Sequence, residues 1–317
     1  MKKTNFFSSN LFKLAIIFCC VLFIYNFFHD NEKIYNIIIN ADYKNSLIII
    51  LLSIFLICLY SLLTLTSLRD ICKIKISSQK WYLIYFNSQF LNSIPFFGIF
   101  YRARQLKKFD LNYDKFVGMY IMIKWLYLSS LLFVLGIETL IFFHNVSYFN
   151  IKIFYIFFSL SLLIISFPYF FGKTFDNLIE RFNLSDYFIF SRLKKLLNLF
   201  IISSLNKEYI KKFLKIFLFI HLVELVVIII LINSLQTDIG IKDSYIIFVG
   251  TQLIDSINII PQNIFISEIG TGFLVQELKY DFELGVLIKL YLRFLIFFSS
   301  IFLAIAYNII NKFFIKY

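Results

Sequence analysis

The chain has 317 residues, of which 60% are hydrophobic and 21% aromatic, and its mean hydropathy is +0.81. So apolar a composition excludes a water-soluble globular protein and places the chain in a bilayer. The formal charge of +12 is accounted for by loops that face anionic lipid, and no nucleic-acid partner is inferred. Phe, Tyr, Ile, Lys and Asn are in excess while there are only 9 Gly and 3 Pro. That bias has the look of an AT-rich coding sequence, so the aromatic count carries little functional weight.

The expected fold is an all-α polytopic membrane protein forming one integral membrane domain over residues 1–317. Met1-Lys2-Lys3 and the apolar run from Leu11 to Phe28 have the charge order of a signal peptide. Asn26-Phe27-Phe28-His29 offers no small-residue cleavage site, so the run is expected to stay as a signal anchor. Spanning helices are predicted at 11–28, 46–68, 116–143, 151–171, 213–233 and 284–310, each near the ~20 apolar residues that a ~30 Å hydrocarbon core requires.

Basic residues near span ends stay on the cytoplasmic side, so loop charge gives orientation. The segment 29–45 carries only Lys33 and Lys44 against three acids and lies outside, whereas 69–80 carries Arg69, Lys73, Lys75 and Lys80 and lies inside. The next apolar stretch, 81–100, is followed by Arg102, Arg104, Lys107, Lys108 and Lys115. Both of its flanks are therefore cytoplasmic, and it must re-enter. Asn92, Pro95 and Gly98 supply the turn such a hairpin needs, and non-helical backbone at that depth survives only inside protein or along a wet cavity.

The span 116–143 leads out to 144–150, which has no Lys or Arg, and 151–171 returns to a basic segment, 172–212. Within it, Leu193, Leu196, Leu197, Phe200 and Ile201 recur at helical spacing among Arg192, Lys194 and Lys195, the pattern of an amphipathic helix on the inner leaflet. After the span 213–233, the stretch 245–266 has acidic flanks on both sides, with Glu268, Glu277, Asp281 and Glu283 beyond it. It re-enters from outside, as part of a hairpin unit 245–283. The final span returns Lys312 and Lys316 to the cytoplasm. The prediction is six full spans and two re-entrant hairpins entered from opposite faces, with both termini cytoplasmic in the cell inner membrane.

Opposite entry implies an inverted-topology repeat, with units at 46–143 and 213–310. Ser88-Gln89-Phe90-Leu91-Asn92-Ser93 matches Thr251-Gln252-Leu253-Ile254-Asp255-Ser256 in chemical type. Pro95 and Pro261 follow, each with a charge seven residues on, Arg102 and Glu268, and Lys124 corresponds to Arg293 in the next helix.

These two motifs resemble those of the lysylphosphatidylglycerol synthase transmembrane (flippase-like) family. A proline-glycine turn followed by an arginine and a basic patch is similar to Pro95 to Lys108. A second proline turn ending in a glutamate, with an arginine in the next helix, is similar to Pro261, Glu268 and Arg293. Gln262, Asn263 and Phe265 stand where the family usually has glycines. The resemblance implies movement of a phospholipid or lipid-linked saccharide between leaflets. In two-domain members a soluble domain makes lysyl-lipid; with Tyr317 ending the present sequence, lysyl transfer is not expected of it.

A charge deep in a bilayer costs at least ~2.5 kcal/mol and needs a partner or a purpose. Arg102 is read either as a phosphate ligand or as a snorkelling anchor. Lys124 and Arg293 lie about nine residues into their spans, ~13 Å at helical rise, so they serve either a headgroup or an ion pair with Glu268 or Asp255. Lys289, one turn before Arg293, is placed on the same face. His221 and Glu224 stand at i and i+3, the spacing of a proton-coupling pair or of a packing contact. Glu138 is placed at the interface. No Walker, GxSxG, HExxH or CxxC motif occurs, so no catalytic residue, metal or cofactor is expected. The leading expectation is a lipid translocator; a membrane subunit acting with a separately encoded transferase and a proton-coupled carrier of a small anion are the alternatives.

Overall fold

Long apolar runs interrupted by few charges form helices because, without water, each backbone N–H must find its acceptor within the segment. The computed structural model describes residues 37, 39–92, 97–142, 147–148, 151–181, 206–257 and 266–314. Its helices are α1 (Tyr43–Asp70), α2 (Ser78–Leu91), α3 (Phe97–Leu106), α4 (Tyr113–Phe142), α5 (Ile153–Arg181), α6 (Lys207–Ser234), α7 (Ile241–Ile257), α8 (Ile266–Glu277) and α9 (Phe282–Phe314). Predicted features at 11–28 and 191–201, together with Pro95 and Pro261, lie outside the described residues.

Helix starts are set by polar caps. Asp42 accepts from Lys44 N at 2.9 Å before α1, and Asn206 accepts from Tyr209 N at 3.1 Å before α6. With little glycine available, the stops use other residues in the left-handed region: Lys73 (φ 57°), Asp110 (φ 59°), Gln236 (φ 51°) and Lys279 (φ 70°). At Lys279 the next N–H, of Tyr280, reaches back to Val275 O at 3.2 Å and closes α8.

Among the described residues four helices, α1, α4, α6 and α9, are long and apolar enough to cross a membrane. The predicted span 151–171 corresponds to α5, whose described apolar portion is Ile153–Phe167. α5 runs ten residues past the predicted end, to Arg181, because the basic residues that mark the cytoplasm do not themselves stop a helix. An antiparallel ribbon pairing Ser147 with Lys152 and Tyr148 with Ile151 precedes it, so residues 151 and 152 belong to a strand rather than to the predicted span.

The central seam is α1 against α6. Asp42 N donates to Ser234 O at 2.9 Å, Ser67 Oγ meets Tyr209 OH at 2.8 Å, and Asp70 pairs with Lys212 at 2.9 Å. These contacts fix the two helices as antiparallel. α4 and α5 also pair antiparallel, with Trp125 Nε1 on Ile164 O at 3.0 Å and Ser161 Oγ on Ser129 O at 3.0 Å.

The two stretches that re-enter in the prediction are pairs of short helices. α2 and α3 have 14 and 10 residues, and α7 and α8 have 17 and 12, all below the ~20 that a span takes. Each pair is antiparallel: the Arg102 guanidinium lies 5.1 Å from the Tyr85 ring in the first, and Ser267 Oγ donates to Asp255 Oδ1 at 2.6 Å in the second. The helical arms begin and end several residues outside the predicted limits because Ser77 caps α2 and α8 continues to Glu277.

The ends of each pair stay together. Burial raises the Cys72 thiol to about 11 against the opposing pull of the Lys115 ammonium, so the approach to α2 and the exit from α3 are neighbours. Tyr280 OH donates to Asp243 at 2.7 Å, joining the exit of α8 to the start of α7.

Close crossings hold the second pair. A Cβ on Gly285 of α9 would stand 2.5 Å from Thr271 O and 2.8 Å from Gly272 Cα of α8, both backbone. Gly285→Ala is expected to destabilise the fold by about 1–3 kcal/mol through overpacking, measured as the shift in thermal unfolding in detergent.

Candidate functional site

Helical periodicity sorts the polar residues onto facing surfaces. α2 presents Tyr85, Gln89 and Asn92 at i, i+4 and i+7, and α3 brings Arg102 alongside. α7 presents Gln252, Asp255 and Ser256, while α9 presents Lys289, Leu292, Arg293 and Ile296. With Tyr120, Ile123, Lys124 and Tyr127 of α4, Tyr60 and Thr64 of α1 and Glu224 of α6, they line a cavity of about 380 Å³. Positions matched in the expected repeat face it together: Gln89 with Gln252 and Asn92 with Asp255 from the short-helix pairs, and Lys124 of α4 with Arg293 of α9.

Four basic side chains converge here, and they are not equivalent. Lys289 Nζ lies 2.5 Å from Asp255 Oδ2, and Asp255 Oδ1 accepts from Ser267, so both oxygens of that carboxylate are engaged. Arg293 Nη1 lies 2.6 Å from Glu268 Oε1, but the buried Glu268 Oε2 has no hydrogen-bond partner. An oxygen stranded in this way costs roughly 1–3 kcal/mol. Arg102 is only 5% exposed, stacks over Tyr85, and has a buried Nε without an acceptor. Among the described residues neither Arg102 nor Lys124 has a carboxylate partner.

Glu224 closes another side of the cavity. Tyr60 OH donates to its Oε1 at 2.5 Å, while Gln252 Nε2 at 2.8 Å and Tyr127 OH at 3.1 Å reach Oε2. The spacing of His221 and Glu224 suggests a pair, yet the two address different partners. His221 Nε2 lies 2.9 Å from Glu138 Oε1, and Tyr245 OH donates to Glu138 Oε2 at 2.7 Å. One turn apart on α6, the side chains diverge by about 60°, enough to send one toward the cavity and the other toward a separate cluster. Glu138, expected at the interface, has a side chain 15% exposed, and its carboxylate is held by His221 and Tyr245.

Of the predicted site residues, Asn92, Arg102, Lys124, Glu224, Asp255 and Arg293 line the cavity. Glu268 stands behind it, bonded to Arg293, and His221 lies outside its lining. Gly98 packs against Ser88 O and the Asn92 side chain, a close approach at the base of the first pair that a Cβ would obstruct. Tyr60, Tyr85, Tyr120, Tyr127, Gln89 and Gln252 are among the other lining residues; of these, only the two glutamines carry a sequence signal, their matched place in the expected repeat. Among the described residues no group of three or more His, Cys, Asp or Glu stands close enough to hold a metal ion.

A family model described as the lysylphosphatidylglycerol synthase TM region matches residues 10–304. No curated protein and no solved structure matches the chain.

Removing Arg293 while keeping Glu268 strands a buried carboxylate. Arg293→Gln is expected to cost about 3 kcal/mol, and adding Glu268→Gln in the same chain should recover most of it. Thermal unfolding of the four members of this double-mutant cycle measures the coupling.

Proposed function

The chain belongs to the lysylphosphatidylglycerol synthase transmembrane-region family, and from that membership and the cavity we propose that it moves the headgroup of a phospholipid or lipid-linked saccharide between leaflets. The observation that carries this reading is the convergence of Arg102, Lys124, Lys289 and Arg293 on one cavity bounded by both short-helix pairs. Cations at membrane depth are costly, and a guanidinium fork beside an ammonium suits a phosphodiester. The cavity's volume of about 380 Å³ equals about a dozen waters at ~30 Å³ each. That accommodates a headgroup while acyl tails remain in lipid.

The accompanying topology has six full spans and two re-entrant hairpins, α2–α3 entered from the cytoplasm and α7–α8 from outside. The units 46–143 and 213–310 form an inverted repeat, with both termini cytoplasmic in the inner membrane. Antiparallel packing of α1 on α6 and the neighbouring ends of each pair support it. Single cysteines at Lys73 and Lys108 are expected to react with an impermeant maleimide only from the cytoplasmic side, and at Thr237 and Lys279 only from outside. Labelling of Lys108→Cys from outside would overturn the first hairpin.

Lys124 breaks no ion pair when removed, so Lys124→Ala tests transport without the stability cost expected at Arg293. In proteoliposomes carrying a fluorescent-headgroup phospholipid, Lys124→Ala and Arg102→Ala are each expected to slow loss of leaflet asymmetry at least about tenfold, as for a lost charged contact of ~1.4 kcal/mol. Wild-type rates in both variants, or protein-free rates in the wild type, would refute translocation through this cavity.

A further inference from the structure

Glu268 and Asp255 both face a cation of α9, but only one of the two pairs is closed. Asp255 uses both oxygens, on Lys289 and on Ser267. Glu268 uses one, leaving a buried oxygen unpartnered although it touches an arginine whose fork can donate to both oxygens of a carboxylate. Arg293 itself lines the cavity, and its side chain is 28% exposed, against 6% for Glu268. At the matching position of the first pair stands Arg102, with its own buried Nε unpartnered, so the second pair carries a resident anion where the first pair carries none.

We propose that Glu268 is an internal counter-anion, occupying on Arg293 the place that the phosphodiester of a lipid headgroup takes, so that the ligand enters by displacing it. This rests on the headgroup reading of the cavity and adds a competitor to it. Arg102 and Lys124 offer an incoming phosphate charges that no carboxylate of the described residues neutralises. Arg293 becomes available only when Glu268 lets go. The carboxylate thus keeps the empty site from holding its fourth cation bare, and its return to Arg293 favours release. An anion bound to both Arg102 and Arg293 would otherwise be held by both hairpins, which opposes transfer from one leaflet to the other.

Native mass spectrometry of the whole chain, titrated separately with phosphatidylglycerol, phosphatidylcholine and sn-glycerol 3-phosphate, tests this. Glu268→Gln should bind phosphatidylglycerol about tenfold more tightly than wild type, within the span of coupled sites, with a smaller gain for phosphatidylcholine, whose choline cation already offsets the charge of its phosphodiester. Asp70→Asn, which removes a half-buried carboxylate paired with Lys212 away from the cavity lining, should leave affinity unchanged. A gain for glycerol phosphate equal to that for phosphatidylglycerol would assign the displaced position to a free phosphate ester and overturn the lipid version. Should Glu268→Gln fold poorly, Glu268→Asp shortens the reach to Arg293 and is expected to give a smaller gain in the same order.

Unchanged or weaker phosphatidylglycerol binding in both Glu268 variants would overturn the competition. If wild type shows no preference for phosphatidylglycerol and Arg102→Ala changes nothing, the headgroup reading itself fails, which separates the two outcomes.

Discussion

One carboxylate holds four helices together. Glu224 of α6 receives Tyr60 of α1, Tyr127 of α4 and Gln252 of α7, and without it these three polar groups would lose their shared acceptor. An unsatisfied buried polar group costs roughly 1–3 kcal/mol, more than one packing contact returns, so the four helices are bound to meet here. The cavity lies beside this knot. Its walls are set by which residues one helical turn from Tyr60, Tyr127 and Gln252 face the same way: Thr64, Lys124 and Asp255.

Charge and depth were the legible parts of the chain. Loop lysines and arginines single out the apolar stretches 81–100 and 245–266, and the described helices at those places are short, 10 to 17 residues. Counting residues into a span located Lys124 and Arg293, because depth is a one-dimensional quantity. Partnership is not. His221 and Glu224 share a helix and a spacing, but their bonds go to α4, α1 and α7, which only packing decides. The bond between His221 and Glu138 was hidden for the same reason: nearness to a helix end says nothing about a histidine on another helix.

The tyrosines were hidden by composition. With 20 tyrosines and 43 phenylalanines, an aromatic residue in a span is no signal, and a hydroxyl that completes a polar cluster looks the same in sequence as one at the lipid surface. The structure separates them by partner. Tyr60 and Tyr127 bond to Glu224, and Tyr85 both underlies Arg102 and accepts from Gln89 at 2.8 Å.

α9 has contacts at both ends of its length. Residues 282 to 293 hold the second short-helix pair through Gly285 on Thr271, Phe282 on Phe273 and Arg293 on Glu268. Residues 297 to 308 hold the first, through Phe297 on Phe90, Tyr307 on Phe86 and Asn308 on Asn87. A single rod attached to one hairpin above its midpoint and to the other below it acts as a balance beam: any tilt about the centre would carry the two hairpins in opposite directions.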